Sequence, residues 1–77
     1  IYIATFYTHF GAISFKKLCD SYKIRSKMMP VPRSLSSSCG TCVRYEADEM
    51  LPGGKPSEDI EQIVEIDENT YIPLYKN

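Results

Sequence analysis

The sequence predicts an α+β fold, a single β-sheet with its helical cover on one face, and three observations point there. The chain opens with an unbroken β-branched and aromatic run, switches to an apolar period of three to four residues, then returns to strand-like segments separated by turn residues. Ile1 to Phe6 contains no breaker and reads as a buried strand. From Thr8, a candidate N-cap, Ala12, Phe15, Leu18, Cys19 and Tyr22 recur at helical spacing, with Lys16, Lys17, Asp20 and Lys23 on the other side. Residues 8–22 are therefore expected as an amphipathic helix in which Gly11 is the weak point. Cys19, on the inward stripe, reads as a small core hydrophobe.

Ile24 to Met29 reads as a second strand ended by Pro30. Thr41, Val43 and Tyr45 alternate with Cys42, Arg44 and Glu46, the period of a half-buried strand. Val43 and Tyr45 are expected to face the core, and Cys42 to share the more polar side with Arg44. Ala47 to Met50 starts a second helix, which Pro52-Gly53-Gly54-Lys55-Pro56 cuts short. From Ser57 the chain restarts as a short helical or extended segment, and Ile63 to Ile66 reads as a fourth strand. Asp67-Glu68-Asn69 is a turn, and Tyr71, Ile72, Leu74 and Tyr75 form a last strand that Pro73 confines to a sheet edge or a bulge. One domain over residues 1–77 with this order is a ferredoxin-like βαββ(α)β sandwich with a truncated second helix and a terminal hairpin. The sheet surface bared by the truncation needs a loop, a strand tail or a second copy of the chain.

Charge and cysteine content narrow the function. Nine bases against ten acids give a net charge of −1, without the basic footprint of a nucleic-acid or anionic-membrane binder. Seven of the nine bases lie between Lys16 and Arg44, so the first half is locally positive. No apolar run approaches the length a bilayer requires and no signal-type segment opens the chain, so a cytoplasmic location is expected. An odd number of cysteines, three, argues for reduced thiols over a disulfide framework.

The chemistry concentrates between Met28 and Cys42. Pro30 and Pro32 lack amide donors, and six of the nine residues from Arg33 to Thr41 carry a hydroxyl or a thiol, so this is a loop. Cys39 precedes Gly40, where the backbone can turn sharply and leave a sulfur exposed as a nucleophile. Arg33 and Arg44 are the nearest guanidiniums to stabilise its anion. Cys39 and Cys42 share the Cys-x-x-Cys spacing of redox pairs and metal half-sites, but no second pair exists to complete a zinc site, and no metal or other cofactor is expected. If the segment is extended, its Cα atoms lie roughly 10 Å apart, beyond disulfide reach, so the thiols act separately or in relay. Ser34, Ser36, Ser37, Ser38 and Gly40 with the loop amides can alternatively form an anion nest, with Arg33 and Arg44 as counter-charge. His9 reads as a packed or surface ring. The run Glu58, Asp59, Glu61, Glu65, Asp67, Glu68 lacks calcium-loop spacing and reads as a solvated face, and tyrosines such as Tyr71 and Tyr75 suit a homodimer surface.

The loop Met29-Pro30-Val31-Pro32-Arg33-Ser34-Leu35-Ser36-Ser37-Ser38-Cys39-Gly40 resembles the signature loop of a small bacterial family of selenium and sulfur carrier-like proteins. The opening Tyr2-Ile3-Ala4-Thr5-Phe6, the Lys17-Leu18 pair and Val43-Arg44-Tyr45 match in the same order. The resemblance implies that Cys39 carries a persulfide or selenopersulfide, that Arg33 belongs to the same loop, and that the partners are sulfur or selenium donor and acceptor proteins. Three function classes follow: a carrier without turnover of its own, a small anion- or metabolite-binding regulatory module using the Arg/Ser loop, and a structural dimer with idle thiols. In the carrier, Cys42 either resolves the persulfide or protects it.

Overall fold

The first strand is apolar on both sides, and the sheet is built outward from it. The computed structural model describes residues 1–35, 37–51 and 58–77, with the order β1 (Tyr2–Phe6), α1 (His9–Ser21), β2 (Arg25–Pro30), β3 (Thr41–Glu46), β4 (Ile60–Asp67) and β5 (Thr70–Lys76). The strands form one sheet in the order β2-β3-β1-β4-β5, and every neighbouring pair is antiparallel. Since β1 and β2 both run against β3, they are parallel to each other, and α1 joins them in a split β-α-β unit. The fold is thus α+β, with a fifth strand on one edge. Residues 47–51 and 58–59 contain no second helix, and the Pro52 to Pro56 breaker lies outside the described residues.

Local chemistry sets the boundaries of α1. Thr8 is extended at φ −133°, and its hydroxyl accepts from the Gly11 amide at 3.0 Å, satisfying one of the free donors of the first turn. Gly11 sits where the helix crosses the residue before β4. A Cβ there would meet the Asp59 Cβ at 2.6 Å, so close approach accounts for the glycine. Gly11→Ala would stabilise an isolated helix by about 1 kcal/mol, but here a non-yielding contact opposes that gain. We expect a net loss of about 1–2 kcal/mol, read as a lowered urea midpoint with an unchanged slope.

The helix-side core joins Ala12, Phe15 and Cys19 of α1 to Ala4, Phe6, Val43, Tyr45, Ile60 and Ile63 of the sheet. Phe15 lies between Phe6 and Tyr45 at centroid distances of 5.3 and 5.1 Å, and Tyr45 also meets Tyr2 at 5.3 Å. Where a second helix was expected, Ala47, Met50, Leu51 and Tyr75 pack against this cluster, and the Tyr45 hydroxyl donates to the Met50 carbonyl. A loop and a strand tail therefore supply the missing cover.

The other face is also a core. Ile3, Cys42 and Val64 are buried there beneath Met29, Val31, Leu35, Ile66 and Tyr71. This corrects the expected polarity: Cys42 does share its side with Arg44, but the 31–35 segment folds over that end and makes it apolar. Pro30 and Pro73 fall on the edge strands β2 and β5, where a missing amide leaves no ladder bond unmade. Glu68 and Asn69, with φ of 44° and 71°, form the two-residue turn of the β4–β5 hairpin, as mirror-image turns require. Between β1 and β4 the register slips: Thr5 faces Gln62 while Phe6 faces Ile60, and Glu61 is the extra residue of a β-bulge. Among the described residues no helix is long and apolar enough to cross a membrane.

Candidate functional site

The loop between β2 and β3 is held as a closed excursion. The Val31 amide donates to the Gly40 carbonyl at 3.1 Å across its base, and the Leu35 amide donates to the Pro32 carbonyl at 3.0 Å, closing a β-turn with Arg33 and Ser34 at its corner. Pro32 supplies the carbonyl that closes that turn, and Leu35 packs against the helix-free core. Arg33 and Ser34 are consequently exposed, and Arg33 makes no hydrogen bond or ion pair with any described residue. Ser36 lies outside the described residues.

The next residues are tied to the sheet. The Ser37 hydroxyl donates to the Phe6 carbonyl at 3.2 Å. Ser38 gives both its donors to one carboxylate, its amide to Glu61 Oε1 at 3.1 Å and its hydroxyl to Glu61 Oε2 at 2.9 Å. The Thr5 hydroxyl also donates to Oε1 at 3.5 Å, and Thr5 is fully buried. Ser37 and Ser38, which the sequence offered to an external anion, are thus engaged by acceptors of the chain itself.

Cys39 follows, half-buried against the helix-side core, and its thiol donates to the Thr41 carbonyl at 3.4 Å. Gly40 has φ of 76°, the left-handed conformation glycine adopts freely, with open space where a Cβ would stand. Neither arginine reaches the sulfur by hydrogen bond. Arg33 turns outward, and Arg44 lies opposite Lys27 on the helix-free face, away from the cluster that Cys39 touches.

The three thiols are free and differ sharply in access. Cys19 and Cys42 are fully buried, whereas Cys39 retains solvent contact. Burial pushes the Cys42 thiol up to about 11, with the charge of Cys39 adding to the rise, and its hydrogen bond goes to the Pro30 carbonyl at 3.7 Å. Burial, followed by the charge of Asp20, likewise raises Cys19 to about 11. Cys39 and Cys42 belong to different cores on opposite faces of the sheet, which separates the Cys-x-x-Cys pair.

Two residues join this site that sequence reasoning left out of it. Glu61 belongs by sequence to a solvated acidic run, yet it grips the residue before Cys39. The signal was the odd spacing of Ile60 and Ile63, three residues apart, which a regular strand places on opposite faces and a bulge brings onto one. His9, read as a packed or surface ring, has its Nδ1 3.2 Å from the Thr41 hydroxyl, beside the carbonyl that holds the Cys39 thiol. In a split β-α-β unit the start of the helix sits near the start of the inserted strand, so its position after Thr8 was the clue.

Fold and site together define a small α+β protein with one solvent-reachable cysteine on a tethered loop. The chain belongs to the family described as "Putative Se/S carrier protein-like", whose model matches residues 1–52. The match runs from β1 through the loop and β3, and it confirms the resemblance carried by the loop residues; β4, with Glu61, lies beyond it. No curated protein and no solved structure matches the chain.

Proposed function

We propose that this protein carries sulfur or selenium as a persulfide or selenopersulfide on Cys39, on a scaffold read as a ferredoxin-like sandwich without its second helix. The observation that supports this reading is the access of the thiols: Cys39 alone meets solvent, on the loop that the family match covers. Loading begins from a protein persulfide, R–S–SH. The Cys39 sulfur attacks the outer sulfur of the donor and the donor S–S bond breaks. The donor leaves as a thiolate that takes up the proton Cys39 gave up, and no net redox change occurs. An acceptor nucleophile then repeats the step on the outer sulfur of Cys39. The protein moves an atom between partners in a reducing compartment, the cytoplasm, and has no turnover of its own.

In this reading Cys42 protects the persulfide by abstaining. With its thiol near 11, its thiolate fraction at neutral pH is on the order of one in ten thousand, so it does not attack the loaded sulfur. The anion-module reading is less well supported, because Ser37 and Ser38 are already engaged inside the chain. Intact mass after incubation with a cysteine desulfurase and cysteine is expected to rise by about 32 Da per sulfur taken up. Cys39→Ser should abolish that gain and Cys42→Ala should retain it. An unmodified wild-type mass with a competent donor would sink the carrier reading.

A further inference from the structure

We infer that Glu61 is a latch on the turn that carries Cys39, and that Cys39 opens to a partner when this latch lets go. The inference deepens the carrier reading and rests on it for its purpose, since a gate matters only where Cys39 is the reactive atom. Three observations carry it. The bulge removes Glu61 from the regular alternation of β4, and such an extra residue is how a strand re-aims one side chain. Both carboxylate oxygens then go to Ser38, the residue immediately before Cys39, in paired charge-assisted hydrogen bonds. Beyond Cys39 stands Gly40, whose left-handed backbone and open surroundings let the turn swing without a clash.

Pinned this way, the thiol is folded back onto the Thr41 carbonyl and the helix-side core, where a bulky electrophile reaches it poorly. The latch bonds involve an exposed residue, so water or the amide and ammonium donors of a docked partner can take over the carboxylate. Residues 37–39 then rotate outward about Gly40 and present the sulfur.

Iodoacetamide labelling of the full chain, with each cysteine followed by peptide mass, tests the latch. Glu61→Ala is expected to raise the Cys39 rate about fivefold or more. Ser38→Ala, which keeps the carboxylate charge and breaks one of the two bonds, should raise it by less, and the double variant should not exceed Glu61→Ala. Since Ser38→Ala leaves the local charge in place, its rise reports opening and not an altered field at the sulfur. Cys19 and Cys42 serve as internal monitors of the core and should stay unlabelled. An unchanged or slower Cys39 rate overturns the latch, and so does a parallel rise at all three cysteines, which would assign Glu61 to overall stability. Alkylation needs no sulfane donor, so the latch and the carrier reading stand or fall separately.

Discussion

Phe15→Ala is expected to cost the fold about 3–5 kcal/mol, enough to leave much of the chain unfolded at body temperature. Phe15 is the one aromatic through which α1 grips the sheet, 5.3 Å from Phe6 and 5.1 Å from Tyr45. Its loss removes the buried ring and two aromatic contacts worth about 0.5–1.5 kcal/mol each, and opens a cavity between Ala12 and Cys19. A domain of this size holds only about 4–12 kcal/mol in total. No second helix backs up the first among the described residues, so undocking α1 exposes the helix-side core at once. In a thermal melt, Tm should fall by at least about 15 °C. Phe15→Leu, which keeps most of the volume, should fall by less than half as much. A melt within a few degrees of wild type for the alanine variant would mean that the ring ladder does not hold the helix.

The same ladder shows why much of this fold is legible in the sequence. Residues 8–22 announce α1 because one stripe of side chains must meet the sheet, and the structure places cap residues at Thr8 and Tyr22. Pro73 announces an edge because it lacks an amide, and β5 is an edge strand. What stayed hidden depends on contacts between distant residues. Ser38 and Glu61 are 23 positions apart, and nothing in either neighbourhood names the other. The buried state of Cys42 depends on Leu35 folding back over the sheet, which a Pro- and Ser-rich segment gives little reason to expect. Arg33 stands six residues before Cys39, and proximity in sequence suggested a counter-charge; the Pro32–Leu35 turn sends it outward instead.

That hidden geometry changes what the loop can do. A thiol flanked by arginines and free amides would be activated at rest. The structure instead shows a thiol donating to a carbonyl, a serine pair committed to the chain, and a carboxylate from outside the matched family region holding the turn. Reactivity in such a site has to arise from opening or from what a partner brings, which is why thiol accessibility is the informative quantity.

Alkaline pH supplies the second large effect. The buried thiols of Cys19 and Cys42 are each raised from 9.0 to about 11, chiefly by burial. The folded chain therefore keeps two protons that the unfolded chain has released, so stability falls as pH rises. Their contribution is complete below about pH 9 and is lost as pH climbs through about 11. Each thiol accounts for roughly 2–3 kcal/mol, so the pair is a large share of what a domain of this size possesses. Tyr45, its phenol pushed upward by burial and its hydroxyl donated to the Met50 carbonyl, acts in the same direction at still higher pH. Urea unfolding at about pH 8 and about pH 11 should show a loss of roughly 4 kcal/mol in the wild type. A Cys19→Ala, Cys42→Ala double variant starts from lower stability because of the cavities it creates, but it should lose far less across the same interval. Cys39→Ser should reduce the Cys42 share, because the charge on Cys39 is the second cause of that rise. Equal losses in the wild type and the double variant would show that these thiols do not hold their protons through burial, and with that would go the reason for Cys42 to leave a persulfide on Cys39 alone.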